Sequence, residues 1–164
     1  MNVIVPIFMG SKSDLKHAQA IADVLASFGI PYEMRIASAH KTPARLLEIL
    51  AEYEADPRAK VFITIAGRSN ALSGMADAAV TAPVIACPPR SDAFGGADIF
   101  SSLRMPSGVA PAVVLEAEAA ALLAAKILAL AEPALREKVR AYQQAHAERL
   151  AQADAEVREI RATV

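Results

Sequence analysis

Short runs of apolar residues at positions 3–8, 32–36, 61–65, 83–87 and 112–115 alternate with stretches in which apolar positions recur every three or four residues. Continuous apolar runs suit strands buried on both faces, and the longer period suits helices. The alternation predicts an α/β fold: a parallel sheet with helices on both sides. In the first helical stretch Ala18, Ile21, Ala22, Leu25 and Phe28 share a face, and Gly29 followed by Pro31 ends it. The second helix is expected to start near Thr42-Pro43, a capping residue before a first-turn proline. It carries Leu46, Leu47, Leu50 and Tyr53 and closes at Asp56-Pro57. A third helix is expected after Asn70, a short fourth near 97–103, and a strongly apolar one from about Glu116 to Leu130.

Past Glu132-Pro133 the pattern changes. A long polar helix is expected, with Leu135, Val139, Tyr142, His146, Leu150, Ala153, Val157 and Ile160 in one narrow, nearly heptad stripe. Such a stripe packs either on another subunit or across its own domain, and the subunit contact is favoured. The chain is expected to form one domain over 1–164, with an α/β core at 1–130 and a helical extension at 131–164.

Composition narrows the functional classes. A hydrophobic fraction of 54% over 164 residues supplies a full single core. Seventeen basic against eighteen acidic side chains leave a net charge of -1, which argues against nucleic acid or an anionic membrane as partner. Any anion must be caught locally. The lone cysteine, Cys87, excludes an internal disulfide and a multi-cysteine metal site, in keeping with a reducing cytoplasm. The opening apolar run lacks the basic flank and cleavage site of a signal peptide. No uncharged apolar stretch reaches membrane-spanning length, since the longest contains Lys126.

In an open parallel sheet ligands bind beyond the carboxyl ends of the strands, so the candidate chemistry lies in the post-strand loops. The first is Met9-Gly10-Ser11-Lys12-Ser13-Asp14. Gly10 lets backbone approach a ligand, Ser11 and Ser13 offer hydroxyls, and the following helix start offers N–H groups and a positive dipole end. It is a phosphate cradle or simply a capped turn, and it is neither a Walker A loop nor a dinucleotide fingerprint. The second loop sets Ser38, His40 and Lys41 beside another helix start. Imidazole changes charge near neutral pH, and an ammonium there adds to the pull on an anion. The third, 66–74, combines Gly67, Arg68, Ser69 and Asn70, which suit a carboxylate or a polar ring. The fourth, 87–92, is stiffened by Pro88 and Pro89 and reads as a wall, while Cys87 ends an apolar strand and reads as core rather than nucleophile. His17 and His146 fall on helices, where they pack or cap. Residues 101–108 form a lid or an ordinary connection.

Gly-Ser-x-Ser-Asp at 10–14, Ser-Ala-His-Lys-Thr-Pro at 38–43, Ala-Gly at 66–67 and Met-Pro-x-Gly at 105–108 together resemble the PurE family of purine biosynthesis. The resemblance runs from Val3 to about Leu130. It implies a flavodoxin-like three-layer αβα sandwich, a homo-oligomer, and a substrate that is aminoimidazole ribonucleotide or its carboxylated relative. It also implies that no metal, biotin or nucleotide cofactor is used.

The family has two classes. Mutases move a carboxylate from the exocyclic nitrogen to the ring carbon and typically read Ala-Gly-Gly-Ala-Ala-His-Leu-Pro-Gly in the third loop. Here that stretch is Ala66-Gly67-Arg68-Ser69-Asn70-Ala71-Leu72-Ser73-Gly74, with Ala71 in place of the histidine. Together with Ser101-Ser102-Leu103-Arg104 downstream, this is similar to the class that takes carbon dioxide directly. The resemblance makes His40 the proton carrier. It gives Gly10, Ser11, Ser13, Asp14, Ser38 and Lys41 to phosphate and ribose, and Gly67, Arg68, Ser69 and Asn70 to the base and carboxyl group. Arg68 either touches substrate or braces its loop through an ion pair. The mutase, a non-catalytic nucleotide-binding module on the same fold, and a structural oligomer built on the C-terminal helix are the alternatives.

Overall fold

The computed structural model describes residues 1–160; the last residues of the expected extension, 161–164, lie outside it. Six parallel strands form one sheet: β1 (Val3–Met9), β2 (Tyr32–Ile36), β3 (Ala59–Lys60), β4 (Phe62–Ile65), β5 (Val84–Ala86) and β6 (Ala112–Val113). The order is β2-β1-β4-β5-β6, and β3 pairs with the start of β1. The expected strand at 61–65 is therefore the continuation of β3, since Val3 pairs with Ala59 and Ile7 with Ile63 in one register.

Every residue of β1 is buried, and its pleat divides the core in two. Val3, Val5, Ile7 and Met9 point to one layer, where α1 (Leu15–Ser27) packs against α5 (Ala117–Leu128). Ile4 and Phe8 point to the other, under α2 (Pro43–Glu54) and α3 (Ala71–Ala79). Alanines 120, 121, 124 and 125 give α5 a smooth face that lets α1 approach closely, and all four are fully buried. Gly29 takes φ 68, the left-handed conformation that ends α1. The helix α2 buries Leu46, Ile49, Leu50 and Tyr53, while Leu47, expected inside, is 44% exposed. The buried set keeps i, i+3, i+4, i+7 spacing, and Leu47 stands one residue off that line.

The segment between β5 and β6 holds a 3-10 stretch, Ala93–Ile99, and the one-turn α4 (Phe100–Leu103). The final helix, α6 (Pro133–Glu159), meets two different surroundings along its stripe. Its first turns belong to the domain: Leu135 and Val139 are buried with α1 and α5, Tyr142 packs on Phe28 at 5.1 Å, and Lys138 Nζ donates to the Phe28 carbonyl at 2.6 Å. His146 lies 3.4 Å from Glu118 of α5. Beyond that point the stripe is bare, with Leu150, Val157 and Ile160 at 73%, 63% and 78% exposure. Among the described residues, no helix is long and apolar enough to cross a membrane.

Candidate active site

The loops leaving β1, β2, β4 and β5 meet at one edge because ladder bonds continue past the strand ends. Ala37 N–H donates to Met9 O, Gly10 N–H to Ile65 O and Cys87 N–H to Thr64 O, at 3.0, 3.0 and 2.8 Å. Together they line a cleft of about 630 Å³ at the switch point between β1 and its two neighbours. Every candidate except Asn70 lines this cleft.

The loop after β1 folds on its own hydrogen bonds. Asp14 Oδ2 accepts from the Ser11 N–H at 3.2 Å and the Ser11 hydroxyl at 3.3 Å, and Ser11 Oγ lies 2.5 Å from Ser13 Oγ. This is a capped turn, and it opens into the cleft. Both bonds use Oδ2, which leaves the second carboxylate oxygen for a ligand.

The loop after β2 is a closed turn. Thr42 N–H donates to Ser38 O at 2.9 Å, the Ser38 N–H to Thr42 Oγ1 at 3.0 Å, and the Lys41 N–H to Ser38 Oγ at 3.2 Å. Thr42 holds the N-cap position of α2 before Pro43, yet its hydroxyl serves this turn rather than the helix. The consequence is a rigid post from which His40 and Lys41, both exposed, project into the cleft. Ser38 Oγ accepts within the turn and keeps its own proton to donate.

The loop after β4 is held under strain. Arg68 takes φ 59, a left-handed conformation that costs a non-glycine residue roughly 1 kcal/mol or more. A side chain at Gly67 would meet Pro89 Cγ at 3.3 Å, so this glycine allows the β4 and β5 loops to touch. Arg68 lines the cleft and makes no ion pair among the described residues. Asn70 differs from its expected place. Its side chain is 5% exposed; Oδ1 accepts from Ser73 N–H at 3.1 Å to cap α3, and Nδ2 donates to Ser102 Oγ at 2.9 Å.

Sequence reasoning missed Arg90 and Ser91, which line the cleft from the loop after β5. Two prolines marked that loop as a wall, but β5 neighbours β4 in the sheet, so its loop must reach the same edge. Strand order is the signal that finds them, and no local motif carries it. Arg90 joins Lys41 and Arg68 to give a local positive field in a chain of net charge -1, opposed by Asp14. Among the described residues, no His, Cys, Asp and Glu cluster has the makings of a metal site.

Cys87 is fully buried behind this edge, with Sγ 3.2 Å from His17 Nε2. Burial, with the Glu116 charge adding, pushes its thiol up to about 12. A thiol that stays protonated is no nucleophile. Cys87 is therefore expected to resist iodoacetamide at pH 8 in the folded protein and to react only in denaturant. The sign of the linkage follows: between about 9, where an unfolded thiol ionises, and 12, the unfolded chain releases a proton that the folded chain keeps. Stability from this group is full below pH 9 and falls as pH rises through that window. Cys87→Ala should flatten the alkaline decline measured by denaturant titration; an unchanged decline would contradict it.

The AIR carboxylase family model matches residues 4–149. The chain belongs to the AIR carboxylase family. The phosphoribosylaminoimidazole carboxylase of Archaeoglobus fulgidus is 60% identical over 152 residues, covering 93% of this chain and 83% of that protein. Its Treponema denticola counterpart is 52% identical, covering 96% and 99%. The crystal structure of Treponema denticola PurE superposes with a TM-score of 0.93 at 52% identity, covering 94% of this chain and 98% of that one. The rat bifunctional phosphoribosylaminoimidazole carboxylase/phosphoribosylaminoimidazole succinocarboxamide synthetase is 43% identical, and the match spans 36% of its length. These names agree with the carboxylase reading of the third loop, and the superposition agrees with the PurE-type sandwich expected from the sequence.

Proposed function

We propose that this AIR carboxylase family enzyme joins carbon dioxide to the ring carbon of aminoimidazole ribonucleotide in purine biosynthesis, with His40 as the proton carrier. The observation that carries the reading is the placement of His40 and Lys41 in one cleft with the Ser11–Asp14 cradle and the Arg68-Ser69 wall, in a chain with Ala71 at the mutase histidine position.

The aminoimidazole ring is an enamine, so its carbon attacks carbon dioxide without a metal. A carbon–carbon bond forms, and one C=O electron pair moves to oxygen as the carboxylate. The ring carbon is now tetrahedral and still holds its hydrogen. Neutral His40 takes that proton, and the C–H pair returns to the ring and restores aromaticity; in reverse, His40 supplies the proton. Ser11, Ser13, Ser38 and Lys41 hold the phosphate and ribose, with the free Asp14 oxygen accepting from ribose hydroxyls. Gly67, Arg68 and Ser69 enclose the base and the new carboxylate. Holding the two reactants together contributes through orientation, worth up to about 7–11 kcal/mol in favourable cases. The reading's test is the carbon source: turnover must proceed with dissolved carbon dioxide and no nitrogen-carboxylated substrate.

The same reading places the enzyme in the cytoplasm as a homo-oligomer, with residues 1–130 carrying the chemistry and 131–164 contributing assembly. Support for assembly comes from the bare stripe at Leu150, Val157 and Ile160. Truncation after Leu130 would strip Leu135 and Val139 from the core, so the informative cut is after Ala147. That variant is expected to stay folded, since Leu135 and Val139 remain, while its mass in solution falls. An unchanged oligomer would remove the stripe from assembly.

A further inference from the structure

The strained Arg68 conformation is held from outside the cleft by the segment between β5 and β6. Ser101 Oγ accepts from the Asn70 N–H at 2.9 Å. Its single proton is directed at two carbonyls, Asp98 O at 2.8 Å and Arg68 O at 3.2 Å. Next to it, buried Ser102 Oγ accepts from Asn70 Nδ2 at 2.9 Å. Asp98 Oδ2 accepts from Ser91 Oγ at 2.9 Å, which ties the wall after β5 to the same segment. Two walls of the cleft, one carrying Arg68 and Ser69 and the other Ser91, therefore share one anchor. Neither Ser101 nor Ser102 lines the cleft.

We propose that Ser101, with Ser102 acting through Asn70, is a positioning residue that sets the base and carboxyl side of the cleft for reaction. The inference rests on the functional reading above, in which Arg68 and Ser69 face the reacting carbon. A left-handed arginine has no local reason to stay so; it relaxes unless its carbonyl and the next amides are held. The hydroxyl at 101 meets both sides of the bend, the carbonyl of Arg68 and the amide of Asn70. Removing it frees the loop to rotate Arg68 out of register, while the phosphate and ribose end, held by the loops after β1 and β2, stays in place. The loss should therefore appear in turnover rather than in nucleotide affinity.

The experiment compares Ser101→Ala and Ser101→Thr in the full-length protein, measuring kcat, KM for aminoimidazole ribonucleotide and melting temperature. Ser101→Ala is expected to lower kcat roughly 10- to 100-fold, the scale of a small misplacement of reacting groups, with KM little changed and the melting temperature close to the parent. Ser101→Thr keeps the hydroxyl and should restore most of the turnover. An unchanged kcat in Ser101→Ala overturns the proposal. So does a loss that tracks a fall in melting temperature and is not rescued by threonine. Full activity in Ser101→Ala alongside an inactive His40→Asn sinks only this inference, whereas an active His40→Asn sinks the functional reading beneath it.

Discussion

His40→Asn is expected to bind aminoimidazole ribonucleotide as the parent does while turnover falls by roughly 10²–10⁴, the usual weight of general acid–base catalysis. Asparagine keeps a polar side chain of similar reach but cannot take the ring proton near neutral pH. The turn that carries residue 40 is closed by Ser38, Lys41 and Thr42 through bonds that leave the His40 side chain out. The substitution should therefore leave loop geometry and melting temperature unchanged. Single-turnover kinetics with a separate binding titration distinguishes the two effects. Normal turnover would remove His40 from the mechanism.

Loss of the anion cradle should show the opposite signature. Lys41→Ala is expected to weaken nucleotide binding roughly 10- to 100-fold, since a charge-assisted hydrogen bond contributes about 1.5–3 kcal/mol, with a smaller effect on the chemical step. Asp14 needs a more careful substitution. Its Oδ2 caps Ser11, so Asp14→Ala removes the turn's own acceptor along with any ribose contact. Asp14→Asn keeps an acceptor for Ser11 and tests the charge alone. Unchanged affinity in both Lys41→Ala and Asp14→Asn would sink the cradle.

Most of the layer architecture was legible because it rests on periodicity. The apolar runs located every strand of the sheet but the two-residue β3, and the Ala18–Phe28 face and the 117–130 stretch located the two helices that pack together. Detail failed at the border of a helical face, where Leu47 adjoins buried Leu46 in sequence yet turns out to solvent, while Ile49 completes the buried set. The cleft was legible by motif where a loop carries its own chemistry, at Ser38–Lys41 and Ser11–Asp14. Two kinds of residue were not. Arg90 and Ser91 reach the cleft through strand order, which local sequence does not encode. Asn70 looked like a ligand contact because its residue type suits one, yet its amide is consumed by an α3 cap and by Ser102, more than thirty residues away. The C-terminal stripe reads as one continuous feature in sequence. The domain ends beneath it near His146, so its two halves meet different surroundings.

The carbon source separates direct carboxylation from the mutase reaction. With aminoimidazole ribonucleotide and bicarbonate as the only carbon supply, added carbonic anhydrase speeds delivery of carbon dioxide. Formation of the ring-carboxylated nucleotide should then proceed and accelerate. Conversion of the nitrogen-carboxylated nucleotide alone, with none from aminoimidazole ribonucleotide and carbon dioxide, would contradict the account.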